Sequence, residues 1–185
     1  MKEILYVTGN WAKIMSAKEV LEPMGIKVKN KKIKITEIQD DSVEEVAKYS
    51  AKEASEKLKC DVLKNDTGLF VETLGGFPGP YTHYADDKLG EEKLLKLLKG
   101  EKNRKAKFIE CYAYCEYGKK PLVFKSVTNG IIAEEKSGKY GWSWDFIFIP
   151  DGEEKTLANF PDEERCLKWD NTGLYELAKY ISGKK

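Results

Sequence analysis

The chain has 185 residues, 41% apolar and 11% aromatic, enough to bury a sizeable core in one large domain or two closely joined lobes, which excludes a disordered or fibrous protein. Lysine and arginine number 32 against 31 aspartate and glutamate, so a formal charge of +1 provides no global field for a nucleic-acid polymer or a membrane surface. Any anionic ligand must be held by a local arrangement, and the 34% of charged residues reads as a densely solvated surface.

Met1 to Val7 enters a strand at once, with neither the apolar run nor the small-residue cleavage site of a signal peptide. No stretch reaches membrane-spanning length, so a cytoplasmic protein is expected. Cys60, Cys111, Cys115 and Cys166 form no C-x-x-C pair and are read as reduced thiols.

After Ile4–Val7, the turn Thr8-Gly9-Asn10 leads into Ile14, Ala17, Val20, Leu21 and Met24 at helical spacing, with Gly25 as the cap. Ile26, Val28, Ile33 and Ile35 alternate among lysines, as in a strand or hairpin with one wet face. Ser42 and Glu45 form a capping box for a second helix, whose apolar stripe is Val43, Val46, Ala47, Ala51, Ala54 and Leu58. Val62 and Leu63 predict a short buried strand, and the glycines and prolines from Asn65 to Tyr81 a structured loop. A helix over Glu91–Leu98 precedes an antiparallel meander from Phe108 to Ile132. Phe146–Ile149 reads as a last apolar strand, and Leu174, Leu177, Ala178 and Ile181 as a closing helix.

Three places carry residues suited to chemistry. At Thr8-Gly9-Asn10-Trp11-Ala12-Lys13 a strand feeds a helix, so backbone N–H groups and the positive end of the helix dipole converge. Thr8 and Asn10 can donate to phosphate oxygens, Gly9 allows close approach and Lys13 adds a charge, although the same turn serves equally as an ordinary helix cap. Glu37 and Asp66 fall at predicted strand ends, where open α/β sheets place ligands. The pair suits magnesium, which needs only one or two protein carboxylates beside substrate phosphates; the alternative is that both are turn residues. Trp142-Ser143-Trp144-Asp145, approached through Gly138 and Gly141, offers two aromatic faces and a carboxylate, a set that fits either a purine base or core packing. His83 is the single histidine, which excludes a multi-histidine zinc site.

These segments together resemble the inosine triphosphate pyrophosphatase family. The resemblance runs nearly end to end: Thr8-Gly9-Asn10-x-x-Lys13; Glu37-Ile38-Gln39; Asp66-Thr67-Gly68-Leu69-Phe70-Val71-Glu72-x-Leu74-x-Gly76-Phe77-Pro78-Gly79-Pro80-Tyr81; and Trp144-Asp145-Phe146-Ile147-Phe148-Ile149-Pro150-Asp151-Gly152. It implies an α/β fold in two lobes around a long twisted mixed β-sheet, residues 1–185 forming one pyrophosphatase-like domain with the nucleotide in a cleft between the lobes. The implied activity is Mg2+-dependent hydrolysis of deaminated purine triphosphates such as ITP, dITP and XTP to the monophosphate and pyrophosphate. Thr8, Gly9, Asn10 and Lys13 would contact the triphosphate. Glu37 and Asp66 would bind metal, and Asp66 would activate water with Lys13 assisting. Thr67 and Gly68 would touch the nucleotide, and Trp142, Trp144 and Asp145 would form the base pocket. A homodimer is implied as well, with the Gly75–Tyr81 loop as a dimer or cleft element.

Several positions depart from the family pattern. Asn65 stands where an acidic residue is usual, and Ser143 replaces a glycine. The family lysine of the second helix falls at Ser50, leaving Lys48 or Lys52 as substitutes. The base-reading Ser-His-Arg is absent from Pro161 to Leu174, where Arg165 is the available guanidinium. These departures admit two alternatives, a pyrophosphatase with changed base specificity and a nucleotide-binding pseudoenzyme.

Overall fold

The structure, a computed structural model, describes residues 2–183. Its sheet runs in the order β2-β1-β3-β5-β6-β7, with β4 paired to β3 off this path. The strands are β1 (Lys2–Tyr6), β2 (Ile26–Asn30), β3 (Val62–Val71), β4 (Pro78–Gly79), β5 (Lys105–Cys115), β6 (Leu122–Ile132) and β7 (Phe148–Pro150). β1 is parallel to β2 and β3, whereas β3–β4 and β6–β7 are antiparallel, so the sheet is mixed as expected. The helices are α1 (Trp11–Leu21), α2 (Val43–Leu58), α3 (Thr82–Lys88), α4 (Gly90–Leu97), α5 (Asp162–Arg165) and α6 (Thr172–Gly183).

The chain divides into two compact units. The first comprises Met1–Asp66, Glu110–Ser126 and Asn171–Lys185; the second, Thr67–Ile109 and Val127–Asp170. In the first, Ile4 and Tyr6 of β1, Ile26 and Val28 of β2 and Leu63 of β3 bury one core with Ala17, Val20 and Leu21 of α1 and Leu174, Leu177 and Ala178 of α6. The period-2 and period-3.6 patterns thus meet in a single apolar cluster. In the second, Leu69, Val71, Phe108, Ile132 and Phe148 pack with Leu94, Leu98, Trp144, Ile147 and Leu157. Phe108 lies edge-on to both Phe148 and Trp169 at 4.9 Å between centroids.

Helix α2 begins as its capping motif requires, with Ser42 Oγ accepting from Glu45 N–H at 3.3 Å, but Glu45 turns its own carboxylate to Lys48. Ser50 and Ser55 are buried on it beside the expected alanines.

Four segments differ from the sequence reading. β3 does not stop at Leu63 but continues through Asp66-Thr67-Gly68 to Val71, because β4 pairs with it at Leu69↔Gly79 and Phe70↔Pro78. Ile33 and Ile35 lie outside β2, which ends at Asn30. Thr82–Lys88 forms a helix that has no apolar stripe to announce it. Residues Ser143–Phe146 make a 3-10 turn, which shortens the last strand to Phe148–Pro150.

Candidate active site

In the first unit the turn after β1 is built by its own side chains. Thr8 Oγ1 accepts from Asn10 N–H at 3.1 Å, and Asn10 Oδ1 caps α1 by accepting from the N–H groups of Ala12 (3.0 Å) and Lys13 (3.3 Å). The capping reading of this turn is therefore realised. The Thr8 hydroxyl proton and the Asn10 amide N–H groups remain as donors, since these contacts use only oxygen lone pairs. A Cβ on Gly9 would stand 2.8 Å from Lys32 Cδ, so glycine leaves room for that lysine's stem to cross the turn.

Glu37 is exposed in the irregular segment between β2 and α2. That segment is tied to α2: Glu53 accepts from Thr36 N–H at 2.8 Å and from its hydroxyl at 3.1 Å, and Lys57 Nζ donates to Lys34 C=O at 3.0 Å. The Lys57 ammonium beside Glu53, together with the Thr36 donors, holds that carboxyl below its ordinary range. Asp66 lies on β3, half-buried, two residues from Lys64 and so on the same face of the strand.

Lys64 is the residue that the sequence reading missed. Burial and the nearby Lys13 ammonium push its pKa below the ordinary lysine value, while Asp66, Glu37 and Glu53 pull the other way. Lys13 of α1, Glu37 of the loop and Asp66 of β3 therefore share one electrostatic neighbourhood around Lys64. The signal in the sequence was a charged residue directly after the buried pair Val62-Leu63. Lys52 is directed elsewhere, pairing with Glu56 at 3.1 Å and donating to Lys119 C=O at 3.3 Å, and Lys48 pairs with Glu44 and Glu45.

Glu37 and Asp66 offer hard oxygen donors. Among the described residues no group of three or more His, Cys, Asp or Glu gathers for a metal. A closed protein cage is thus not built, but two carboxylates fit magnesium held jointly with substrate phosphates and water.

The second unit holds Thr67 and Gly68 on β3 and, around the Trp142–Asp145 turn, a separate cluster. Thr67 Oγ1 is buried without a hydrogen-bond partner. The two tryptophans part company: Trp144 is in the core, and Trp142 is exposed with the Arg165 guanidinium 5.6 Å from its ring centre. Arg165 is buried; its Nε lies 3.5 Å from Asp145 Oδ2, its Nη2 bonds Asp162 at 2.8 Å, and its Nη1 donates to Phe160 C=O. Asp145 also accepts from Trp142 N–H at 3.3 Å, yet desolvation dominates and raises its pKa to about 6. Ser143, at the family's glycine position, keeps a left-handed φ of 56°, and its Oγ is buried without a partner. His83 is exposed on α3, and no disulfide joins Cys60, Cys111, Cys115 and Cys166 among the described residues. No described helix is long and apolar enough to cross a membrane.

A mixed sheet joined to helices, with its parallel strands linked through α1 and α2, defines an α/β protein. Within that class the chain belongs to the Ham1 family, whose model matches residues 4–167. It is 46% identical over 164 residues to a dITP/XTP pyrophosphatase of Methanopyrus kandleri, covering 89% of this chain and 87% of that one. A dITP/XTP pyrophosphatase of Thermococcus kodakarensis is 41% identical over 179 residues, 96% of each chain. Among solved structures, a HAM1 protein from Coxiella burnetii superposes over 100% of both chains with a TM-score of 0.83 at 24% identity, a likeness of fold.

Proposed function

We propose that this protein hydrolyses deaminated purine nucleoside triphosphates such as ITP, dITP and XTP to the monophosphate and pyrophosphate. The observation that supports this reading is the placement of Lys64 and Asp66 on one face of β3 beside the β1–α1 turn, with Lys13 and Glu37 in electrostatic reach of Lys64, cations for a polyphosphate beside carboxylates for a metal and a water. The names borne by the relatives at 41–46% identity support the same substrate class.

In this reading Thr8, Asn10 and Lys13 bind the triphosphate, Gly9 gives its oxygens access to the turn, and Thr67 and Gly68 contact the nucleotide. Asp66 accepts the proton of a water that attacks the α-phosphorus; a new P–O bond forms as the bond to the β-phosphate oxygen breaks, and pyrophosphate leaves with the electron pair. Glu37 and Asp66 would hold Mg2+, which supplies charge neutralisation on the phosphate oxygens. The base belongs to the second unit's cluster: Trp142 presents an exposed ring for stacking, Arg165 and Asp145 supply polar contacts to its edge, and Trp144 supports them from the core. Arg165 is then the donor that a keto oxygen would meet in the absence of Ser-His-Arg. Lys52 serves the phosphates only if it leaves Glu56. We further propose a cytoplasmic homodimer, using the exposed aromatics Phe77, Tyr81 and Tyr84; a monomer mass in solution would remove that part.

The deciding experiment is pyrophosphate release from ITP, XTP, dITP, GTP, ATP, dTTP and UTP, with and without magnesium. Release confined to ITP, dITP or XTP and dependent on magnesium is the expected result. Release from another base would make the enzyme a re-targeted pyrophosphatase, and nucleotide binding without release would make it a binding protein.

A further inference from the structure

Lys64 and Lys13 lie in one electrostatic neighbourhood, and the charge of Lys64 is disfavoured there by burial and by Lys13. Seven other lysines (Lys29, Lys48, Lys52, Lys57, Lys119, Lys136 and Lys168) lie within ion-pair distance of a carboxylate. Neither Lys13 nor Lys64 does so among the described residues, although both are half-buried. A partly desolvated ammonium without a close counter-ion is costly; Lys13 adds to that cost for Lys64, and Asp66, Glu37 and Glu53 offset part of it at longer range.

The backbone explains how they meet. Leu63 pairs with Tyr6, and Leu63 C=O accepts from Val7 N–H at 2.8 Å, so the next residue of β3, Lys64, flanks the point where β1 turns toward α1. Alternation along β3 puts Lys64 and Asp66 on one face and sends Leu63 and Asn65 to the other, where both are buried. Lys13 enters from the first turn of α1. Helix α2 does not supply a further positive charge in this arrangement: Ser50 is buried and neutral, and Lys48 and Lys52 are paired with glutamates of their own helix.

We propose that Lys64 is a second phosphate-binding residue, which acts with Lys13 to hold one anionic group of the substrate polyphosphate between two ammonium groups. The inference rests on the reading of this neighbourhood as a triphosphate site. It places on β3 the positive charge that Ser50 does not provide, and it accounts for an unfavourable pair: the phosphate is the close counter-ion that each lysine lacks among the described residues.

The test compares the full-length wild type with Lys64→Met, which keeps the apolar stem, and Lys64→Arg, which keeps the charge. Binding of inorganic tripolyphosphate is measured by calorimetry in the presence of EDTA, alongside thermal midpoints and steady-state hydrolysis of ITP. The expected result is a roughly ten- to hundredfold loss of tripolyphosphate affinity in Lys64→Met, the range for a lost charge-assisted hydrogen bond, with Lys64→Arg close to wild type. KM for ITP should rise in Lys64→Met and the thermal midpoint should not fall. Unchanged tripolyphosphate affinity in Lys64→Met, with or without a lower midpoint, overturns the proposal, as does a wild type that does not bind tripolyphosphate. A wild type that binds tripolyphosphate through Lys64 but hydrolyses no nucleotide would refute the pyrophosphatase reading and leave this one standing.

Discussion

Asp145→Asn should stabilise the protein at neutral pH while weakening the base contact proposed for it. The Asp145 carboxyl is only 10% exposed, and burial raises its pKa from 3.8 to about 6 despite the Trp142 N–H and Arg165. The unfolded chain gives up this proton near pH 4, whereas the folded chain holds it until about pH 6. Stability is therefore progressively lost as pH rises between those values and stays at its reduced level above them. At 1.36 kcal/mol per pKa unit the full loss is about 3 kcal/mol, of which about 2 falls between pH 4.5 and 7.5. Asparagine carries no such linkage and can still accept from Trp142 N–H. It also leaves Arg165 with one acid, Asp162, which adds an offset that does not vary with pH in this range. Urea denaturation of wild type and Asp145→Asn across pH 4.5–7.5 checks this: the difference in unfolding free energy should shift by about 2 kcal/mol in the variant's favour as pH rises. A difference that stays constant across the range, or that moves in favour of the wild type, would refute the buried-carboxylate reasoning. The same variant should raise KM for ITP, because the carboxylate is retained there at a cost in stability.

Three further substitutions probe other parts of the structure. Asp66→Asn should abolish pyrophosphate release while leaving the thermal midpoint within a few degrees of wild type; turnover at the wild-type rate would remove Asp66 as the water-activating group. Thr82→Val should cost about 1–3 kcal/mol in denaturant unfolding, because the buried Thr82 hydroxyl accepts from Leu69 N–H and donates to Gly79 C=O, both at 2.6 Å, and valine leaves the two backbone groups unsatisfied. Gly138→Ala should destabilise by about 3 kcal/mol on the same assay: φ is +94°, and the new methyl would lie 2.3 Å from the backbone carbonyl of Ala158, which cannot swing aside as a side chain could.

The elements read correctly from sequence were those whose local signals agree. The β1–turn–α1 unit joins an apolar run, a capping asparagine and helical periodicity; α2 joins Ser42 to an apolar stripe; α6 carries its stripe alone. β3 was cut short because glycine at position 68 and the glycines beyond it resemble loop composition, whereas the pairing of β4 with β3 that sustains the strand is a contact no local pattern displays. Helix α3 escaped because Thr82–Lys88 buries only Thr82 and Ala85. Trp142 and Trp144 are two residues apart in sequence, but the 3-10 turn that starts at Ser143 exposes one and buries the other. Lys64 was passed over because a lysine beside two buried residues reads as a strand end, and only the extension of β3 turns it into an interior position facing Asp66.

Each unit keeps one polar arrangement that works against its own stability. In the first, burial and the nearby Lys13 ammonium disfavour the charge of Lys64, which Asp66, Glu37 and Glu53 only partly offset; in the second, Asp145 is held in an environment that disfavours its charge, and Ser143 holds a left-handed backbone with a hydroxyl that is buried and unpartnered among the described residues. Apolar replacement would relieve the first, and a neutral amide would relieve the second. Conflicts of this kind are what the proposed contacts would relieve, an anion for Lys13 and Lys64 and a hydrogen-bonding base edge for the carboxyl and hydroxyl.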